Sequence, residues 1–174
     1  MNCSPSDHIP SNDWGYQYPK SGKGFGGFAA FLDTTSSFAP YREYMTYTFK
    51  KEIESNKKYC ISSYFSLSEK SKYSVEGVGF YFSKDSITTP NFFKGVIKRI
   101  PNIKIESNLD TTNWYFFSKK FNPSKQNLRF MTIGNFSLDS NTVFYDSATS
   151  PPWYYGTTDS SGFAYYYIDD VSVI

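Results

Sequence analysis

Short segments in which apolar and polar residues alternate are the feature of this sequence that most limits its fold. Residues 59–67 show it most clearly: one side of the extended chain holds Tyr59, Ile61, Phe65 and Leu67, and the other holds Cys60, Ser62, Tyr64 and Ser66. Successive side chains of a β-strand point to opposite faces, so this pattern predicts strands with one apolar face. No stretch repeats apolar residues three and four positions apart, as an amphipathic helix would.

Eight such segments are separated by Ser, Asn, Asp, Pro and Lys residues that favour turns. The predicted strands are 24–32, 42–53, 57–67, 73–83, 93–105, 113–121, 127–136 and 162–173. Strands that bury one face each suit two packed antiparallel sheets, and eight of them suit a jelly roll. With 174 residues, the chain is predicted to form one all-β sandwich domain over residues 1–174, because a chain of this length supports a single core.

Composition excludes several classes of protein. Hydrophobic residues make up 39% and charged residues 20% of the chain, which is typical neither of a disordered chain nor of a membrane-inserted one. The net charge of +2 is close to balance, whereas proteins that bind nucleic acid usually show a concentrated basic patch, so nucleic acid is not an expected partner.

Aromatic residues form 21% of the chain, and two predicted loops hold clusters of them. The irregular N-terminal segment 1–23 carries Trp14, Tyr16 and Tyr18, and the long loop 138–161 carries Trp153, Tyr154 and Tyr155. An AT-rich genome would also raise the aromatic content without any functional reason. Large rings in polar loops either pack over the edge of a core or contact a ligand. Both interpretations are open, and in the second Gln17 and Asn12 would supply hydrogen bonds.

Catalytic patterns are missing. His8 is the one histidine, in a Pro- and Ser-rich stretch, and no nucleophile motif, zinc motif or phosphate loop is present. The glycines at 22, 24, 26 and 27 lead into a predicted strand without the helix that would hold a phosphate. We therefore expect a protein that is not an enzyme.

Asp169 and Asp170 lie next to each other in the last predicted strand, so their side chains point to opposite faces. One of them, facing inward, could bind a structural calcium; alternatively both cap the end of the sandwich through backbone N–H groups. Cys3 and Cys60 likewise leave two alternatives. They pair across a long loop, or Cys60 is a small buried apolar residue in its strand.

The closing sequence YYYIDDVSV at 165–173 resembles the last strand of jelly-roll carbohydrate-binding modules of the galactose-binding-like type. Further segments, in order, resemble an uncharacterised β-sandwich domain of exported surface proteins from the Bacteroidetes group. They are PSN at 10–12, GYQ at 15–17, SG at 21–22 with GG at 26–27, YREY at 41–44, YCIS at 59–62 with SLS at 66–68, GVG at 77–79 with YFS at 81–83, NW at 113–114 and TIGNF at 132–136.

This resemblance implies an extracellular or cell-surface location and a chain that is a fragment of a larger exported protein. In the carbohydrate-binding relatives, a Glu in an earlier strand and a late Asp hold a structural calcium, and this chain begins after that strand. The leading hypothesis is a non-catalytic carbohydrate-binding module that uses the ring-bearing loops and requires no cofactor beyond that candidate calcium. The alternative is a structural or adhesion domain that packs against neighbouring protein domains and binds no sugar.

Overall fold

Strands make up almost all of the regular structure in the computed structural model, which describes residues 9–33, 40–87, 95–105, 109–125, 127–146 and 162–174. In chain order the strands are β1 (Ser11–Asn12), β2 (Gly15–Tyr16), β3 (Gly26–Leu32), β4 (Met45–Ile53), β5 (Tyr59–Leu67), β6 (Tyr73–Val75), β7 (Val78–Ser83), β8 (Ile103–Lys104), β9 (Tyr115–Phe121), β10 (Leu128–Asn135), β11 (Phe144–Asp146) and β12 (Phe163–Val173). Within the described ranges a single 3-10 turn spans Asp139–Asn141, and there is no α-helix. The all-β prediction is therefore confirmed.

Two four-stranded antiparallel sheets form the body of the sandwich. The first sheet has the order β3-β12-β5-β9 and the second has the order β4-β10-β7-β8. Two short ribbons, β1-β2 and β6-β11, complete the pairing. Strands that are consecutive along the chain, such as β3 and β4 or β9 and β10, lie in different sheets, so the chain repeatedly crosses the sandwich.

Aromatic rings fill the space between the two sheets. The ring of Phe80 on β7 lies 6.1 Å from that of Phe65 on β5 and 5.7 Å from that of Phe117 on β9. Phe82 stacks on Phe121 at 4.3 Å between ring centroids. The inward face predicted from the alternation in residues 59–67 is thus confirmed, since Ile61, Phe65 and Leu67 are part of the core. Rings that interlock in this way bury large apolar areas, which stabilises the fold.

Two buried polar side chains form hydrogen bonds with backbone groups. The Tyr166 hydroxyl accepts a hydrogen bond from the Val75 N–H at 2.7 Å, and burial raises the pKa of that hydroxyl. The Asn135 amide donates to the Ala30 carbonyl at 3.0 Å, which ties β10 of one sheet to β3 of the other. A buried polar group with a partner avoids the free-energy cost of lost hydration.

The structure corrects four predicted segments. Residues 95–105 are the described part of the predicted strand 93–105, and only Ile103–Lys104 of them is a strand. The Asn102 side chain accepts the Phe82 N–H at 2.8 Å, where a backbone carbonyl would otherwise pair. The predicted strand 73–83 is broken by Gly77, whose φ of +101° ends β6 before β7 begins. The segments 1–23 and 138–161, predicted as loops, contain the β1-β2 ribbon and β11.

Replacing Phe80 by alanine tests the importance of the interlocked rings. Phe80 is fully buried, so we expect the Phe80→Ala change to lower the free energy of unfolding by about 3–5 kcal/mol, measured by urea unfolding followed by circular dichroism. Phe116→Ala is the matched control, because 53% of Phe116 is exposed and its loss should cost less than about 1 kcal/mol. Equal losses in both variants would contradict a core centred on Phe80.

Candidate functional site

Residues 9–25, which we call the strap, cover part of the outer face of the first sheet. The β1-β2 ribbon folds back on itself, and the Gln17 N–H donates to the Pro10 carbonyl at 2.8 Å. The Asn12 side-chain oxygen accepts hydrogen bonds from the Trp14 N–H at 2.8 Å and from the Tyr167 hydroxyl at 2.9 Å. Asn12, proposed from sequence as a ligand contact, therefore ties the strap to β12.

Trp14 packs against the protein. Its indole stacks on the Tyr165 ring at 4.3 Å with 6° between the ring planes, and it meets the edge of Phe163 at 5.3 Å. Tyr165 and Tyr167 point away from the main core, and the strap buries them. The sequence left two interpretations of this ring, packing over the core or contact with a ligand, and the first describes the position of Trp14.

Tyr16 and Tyr18 lie differently, because both rings face solvent. Tyr16 is 52% exposed and Tyr18 is 60% exposed. Their rings meet edge to face at 5.6 Å, and the Tyr16 hydroxyl donates to that of Tyr18 at 3.0 Å. That hydrogen bond raises the pKa of the Tyr16 hydroxyl. The Tyr16 N–H donates to a Glu69 carboxylate oxygen at 2.8 Å, which fixes the backbone beneath the ring.

Gln17 points into the sheet. Its side-chain amide donates to the Ser66 hydroxyl at 3.0 Å, and its side-chain oxygen accepts the Tyr18 N–H at 3.0 Å. Because its side-chain nitrogen and oxygen both form hydrogen bonds, Gln17 fixes the backbone of the strap between Tyr16 and Tyr18.

Trp114 also holds the strap, and sequence analysis did not place it at the site. Its indole N–H donates to the Tyr18 carbonyl at 2.9 Å, and its ring meets the edge of Phe25 at 5.8 Å. Trp114 and Phe116 are two residues apart and so share one face of an extended chain, while the next residue, Phe117, points into the core. That alternation around β9 was the signal that could have identified Trp114.

Further rings follow Trp114 on the outer face of the first sheet, where Phe116 is exposed and Trp114 and Tyr64 are half-buried. Phe116 lies 5.0 Å from the Tyr64 ring on β5, and the Lys20 ammonium stands 4.7 Å above the same Tyr64 ring. The strap thus ends next to an uncovered part of the sheet. We call this surface the aromatic face; it consists of Tyr16, Tyr18, Tyr64, Trp114 and Phe116.

Asp169 and Asp170 both hold the strap at Ser21, Asp169 through the backbone and Asp170 through the side chain. The prediction that the two carboxylates point to opposite faces is therefore wrong, because the strand register shifts after Asp169 and Asp170 has a φ of +49°. One carboxylate oxygen of Asp169 accepts the N–H groups of Lys20 at 2.9 Å and Ser21 at 3.2 Å, and the other accepts the Asp170 N–H at 2.8 Å. The Ser21 hydroxyl donates to Asp170 at 2.6 Å. N–H groups point their positive ends at the carboxylate, so the Asp169 side chain does not fit a calcium ligand in this arrangement. The arrangement fits the alternative prediction, in which the Asp169 carboxylate caps backbone N–H groups.

Several sequence predictions fall outside the described residues: Trp153, Tyr154, Tyr155, His8 and Cys3. Cys60 lies within β5, with its sulfur 3.3 Å from the Ser118 hydroxyl. Its pairing with Cys3 stays a prediction.

Two other kinds of feature, a metal-binding cluster and a membrane-spanning helix, are absent from the described ranges. Nowhere in them do three or more His, Cys, Asp or Glu side chains come together in a way that could hold a metal ion. The same ranges contain no helix of the length and apolar character needed to cross a membrane.

Comparison with known proteins gave no match among protein-family models, curated proteins or solved structures. The resemblance to galactose-binding-like modules stays a prediction. Function is therefore inferred from the side chains of this chain and their arrangement.

The Asp169→Ala change tests whether the Asp169 carboxylate stabilises the strap by capping its N–H groups. The change removes the acceptor of two strap N–H groups, so we expect the free energy of unfolding to fall by about 1 kcal/mol, while the exposed Asp85→Ala control stays within about 0.5 kcal/mol. Thermal unfolding with and without millimolar calcium is the second measurement, and we expect the same melting temperature in both. A calcium-dependent rise that Asp169→Ala abolishes would instead identify this carboxylate as a metal ligand.

Proposed function

We propose that this protein is a non-catalytic glycan-binding module, built as a jelly roll, that recognises its ligand on the aromatic face. The observation that supports this most is the exposure of Tyr16 and Tyr18, at 52% and 60%, on a strap fixed by Asn12, Gln17, Glu69 and Trp114. The resemblance described above adds an extracellular or cell-surface location within a larger exported protein.

The strand order supports the jelly-roll assignment. Counting only the eight strands of the two main sheets, the first sheet contains the first, eighth, third and sixth, and the second contains the second, seventh, fourth and fifth. The last strand therefore lies beside the first, and consecutive strands alternate between the sheets except for β7 and β8, which are paired in one sheet. Double-sheet jelly rolls of eight strands are built in this way.

The arrangement of the exposed rings favours a sugar ligand. Aromatic rings offer a flat apolar face to the C–H surface of a pyranose, and the hydroxyl of Tyr can also form a hydrogen bond. Here the backbone below Tyr16 and Tyr18 is held by side-chain hydrogen bonds, so the rings keep their place without being buried. A surface prepared in this way loses little conformational entropy on binding.

The nearest carboxylates support binding rather than hydrolysis. Glycosidases hold two carboxyl groups across the scissile bond, one of which must donate a proton. Glu69 accepts the Tyr16 N–H and Asp169 accepts those of Lys20 and Ser21. Both groups are engaged with the strap backbone instead of facing a cleft.

The second candidate is a structural or adhesion domain that contacts neighbouring domains and binds no sugar. One observation favours it: Trp14 is covered by Tyr165 and Phe163, as that class of function predicts. A structural or adhesion domain would use the aromatic face to contact another protein domain. The exposure of Tyr16 and Tyr18 in this single domain is compatible with that use, so binding experiments must separate the two.

A glycan array followed by isothermal titration calorimetry tests the proposed function. We expect Tyr16→Ala and Tyr18→Ala each to weaken binding about tenfold, because each removes a stacking ring. Tyr145→Ala is the control, since Tyr145 is 40% exposed on β11 outside the aromatic face, and it should bind as the unmodified protein does. Trp153→Ala tests the contribution predicted from sequence for the loop 138–161.

Two outcomes would reject the glycan-binding proposal. One is the failure of a folded protein to bind any glycan on the array. The other is binding that survives both tyrosine changes without loss. Either result would leave the structural or adhesion domain as the better proposal.

A further inference from the structure

Half of the positive charge of this chain collects at one end of the sandwich. β4, β7 and β9 end there, and β5 and β10 begin there, as the pairings of Leu128 with Ile53, of Phe130 with Ser83 and of Tyr59 with Phe121 show. The basic residues in or beside these strand ends, which we call the basic end, are Lys50, Lys51, Lys57, Lys58, Lys84, Lys119, Lys120, Lys125 and Arg129, all of them exposed.

This concentration is far above the chain's average. The basic end contains nine of the 18 Lys and Arg residues, whereas the whole chain has a net charge of +2. The acidic residues in the same region are Glu52, Glu54 and Asp85, and Glu54 pairs with Lys57 at 2.7 Å. The basic end therefore carries a formal surplus of six positive charges, and the rest of the chain is net negative.

The fold brings these charges within a short distance of one another. Neighbouring strands lie about 5 Å apart and packed sheets about 10 Å apart, so an end four strands wide measures roughly 15–20 Å by 10 Å. That is about two Debye lengths at physiological ionic strength, so the charges act together on an approaching anion. Like charges held so close repel one another, and an anionic partner relieves that repulsion.

The basic end is continuous with the aromatic face. Along β9, Phe116, Ser118 and Lys120 share the outward side, because Phe117 and Phe121 point into the core. Phe116 belongs to the aromatic face, and Lys120 lies opposite Cys60 at the basic end. A polymer lying along this edge strand would meet rings first and ammonium groups next.

We propose that the ligand is an anionic polysaccharide, whose sugar rings stack on the aromatic face while its carboxylate or sulfate groups pair with the basic end. This inference rests on the proposed glycan binding and names the class of glycan. A neutral sugar would use only the rings, and a polyanion without sugar would use only the lysines. The continuity of the two surfaces along β9 favours a ligand that offers both chemistries.

Binding of matched polymers to the full chain tests this inference. The probes are dextran sulfate and polygalacturonate as anionic polysaccharides, dextran as a neutral one and polyglutamate as an anionic polymer without sugar. We expect the two anionic polysaccharides to bind most tightly, with affinity that falls at least tenfold between 50 and 200 mM salt as paired counterions are released.

Charge reversal locates the interaction. The double variant Lys119→Glu with Lys120→Glu should weaken binding of dextran sulfate at least tenfold, and Tyr18→Ala should weaken it as well. Lys98→Glu is the control, because the neighbouring Ile97 N–H donates to the Tyr44 hydroxyl beside the start of β4, at the opposite end of the sandwich. It should leave binding within about twofold. Thermal unfolding of each variant checks that the exposed substitutions leave the fold intact.

Other outcomes overturn the inference in distinguishable ways. Equal binding of dextran and dextran sulfate, unaffected by charge reversal, would reject the anionic ligand and leave glycan binding standing. Polyglutamate or a nucleic acid bound as tightly as dextran sulfate, without loss on Tyr18→Ala, would reject the sugar and leave a general polyanion site. Sedimentation at low salt that shows copies of this chain associating, with no binding of the anionic probes, would show that the basic end contacts the net-negative remainder of another copy.

Discussion

The interlocking of aromatic side chains between the two sheets is the contact on which every other feature of this protein depends. Phe80 lies between Phe65 and Phe117 of the opposite sheet, and this holds the sheets face to face. With the inner faces fixed, alternation along each strand decides which side chains reach the outside. The outward position of Tyr64 and Phe116, and therefore the aromatic face itself, follows from the inward position of their neighbours.

The outer face of the first sheet is divided into two parts with different chemistry. Over β3 and β12, small residues and tyrosines leave a surface that the strap covers, and the stacking of Trp14 on Tyr165 makes that half a second, minor core. Over β5 the strap reaches only Ser66, through Gln17, and Tyr64, through Lys20, and on β9 the Phe116 ring stays in contact with water. Asp169 marks the boundary, because its carboxylate holds the strap backbone at Lys20 and Ser21.

Strand positions could be predicted from the sequence because alternation records directly which side is buried. The break at Gly77 and the irregular stretch before Ile103 could not, since they depend on a backbone angle and on the Asn102 side chain contacting Phe82. The strap was predicted as an irregular segment because the residues that hold it on the sheet lie between 49 and 155 positions away along the chain. The basic end was equally hidden: its charges are spread over several segments, and only the register of the sheets brings them together.

The fixed backbone beneath the exposed rings is what supports the proposed recognition role. A tyrosine on a mobile loop would lose conformational entropy on binding, which would offset much of the stacking energy. Tyr18 avoids this cost because the Trp114 indole N–H holds its carbonyl and Gln17 holds its N–H. Trp114 is in turn braced by Phe25, which packs on Tyr167 of the central strand β12. The sheet thus fixes the backbone beneath the Tyr18 ring through a short chain of contacts, so the stability of the sandwich and the shape of the proposed binding surface depend on the same residues.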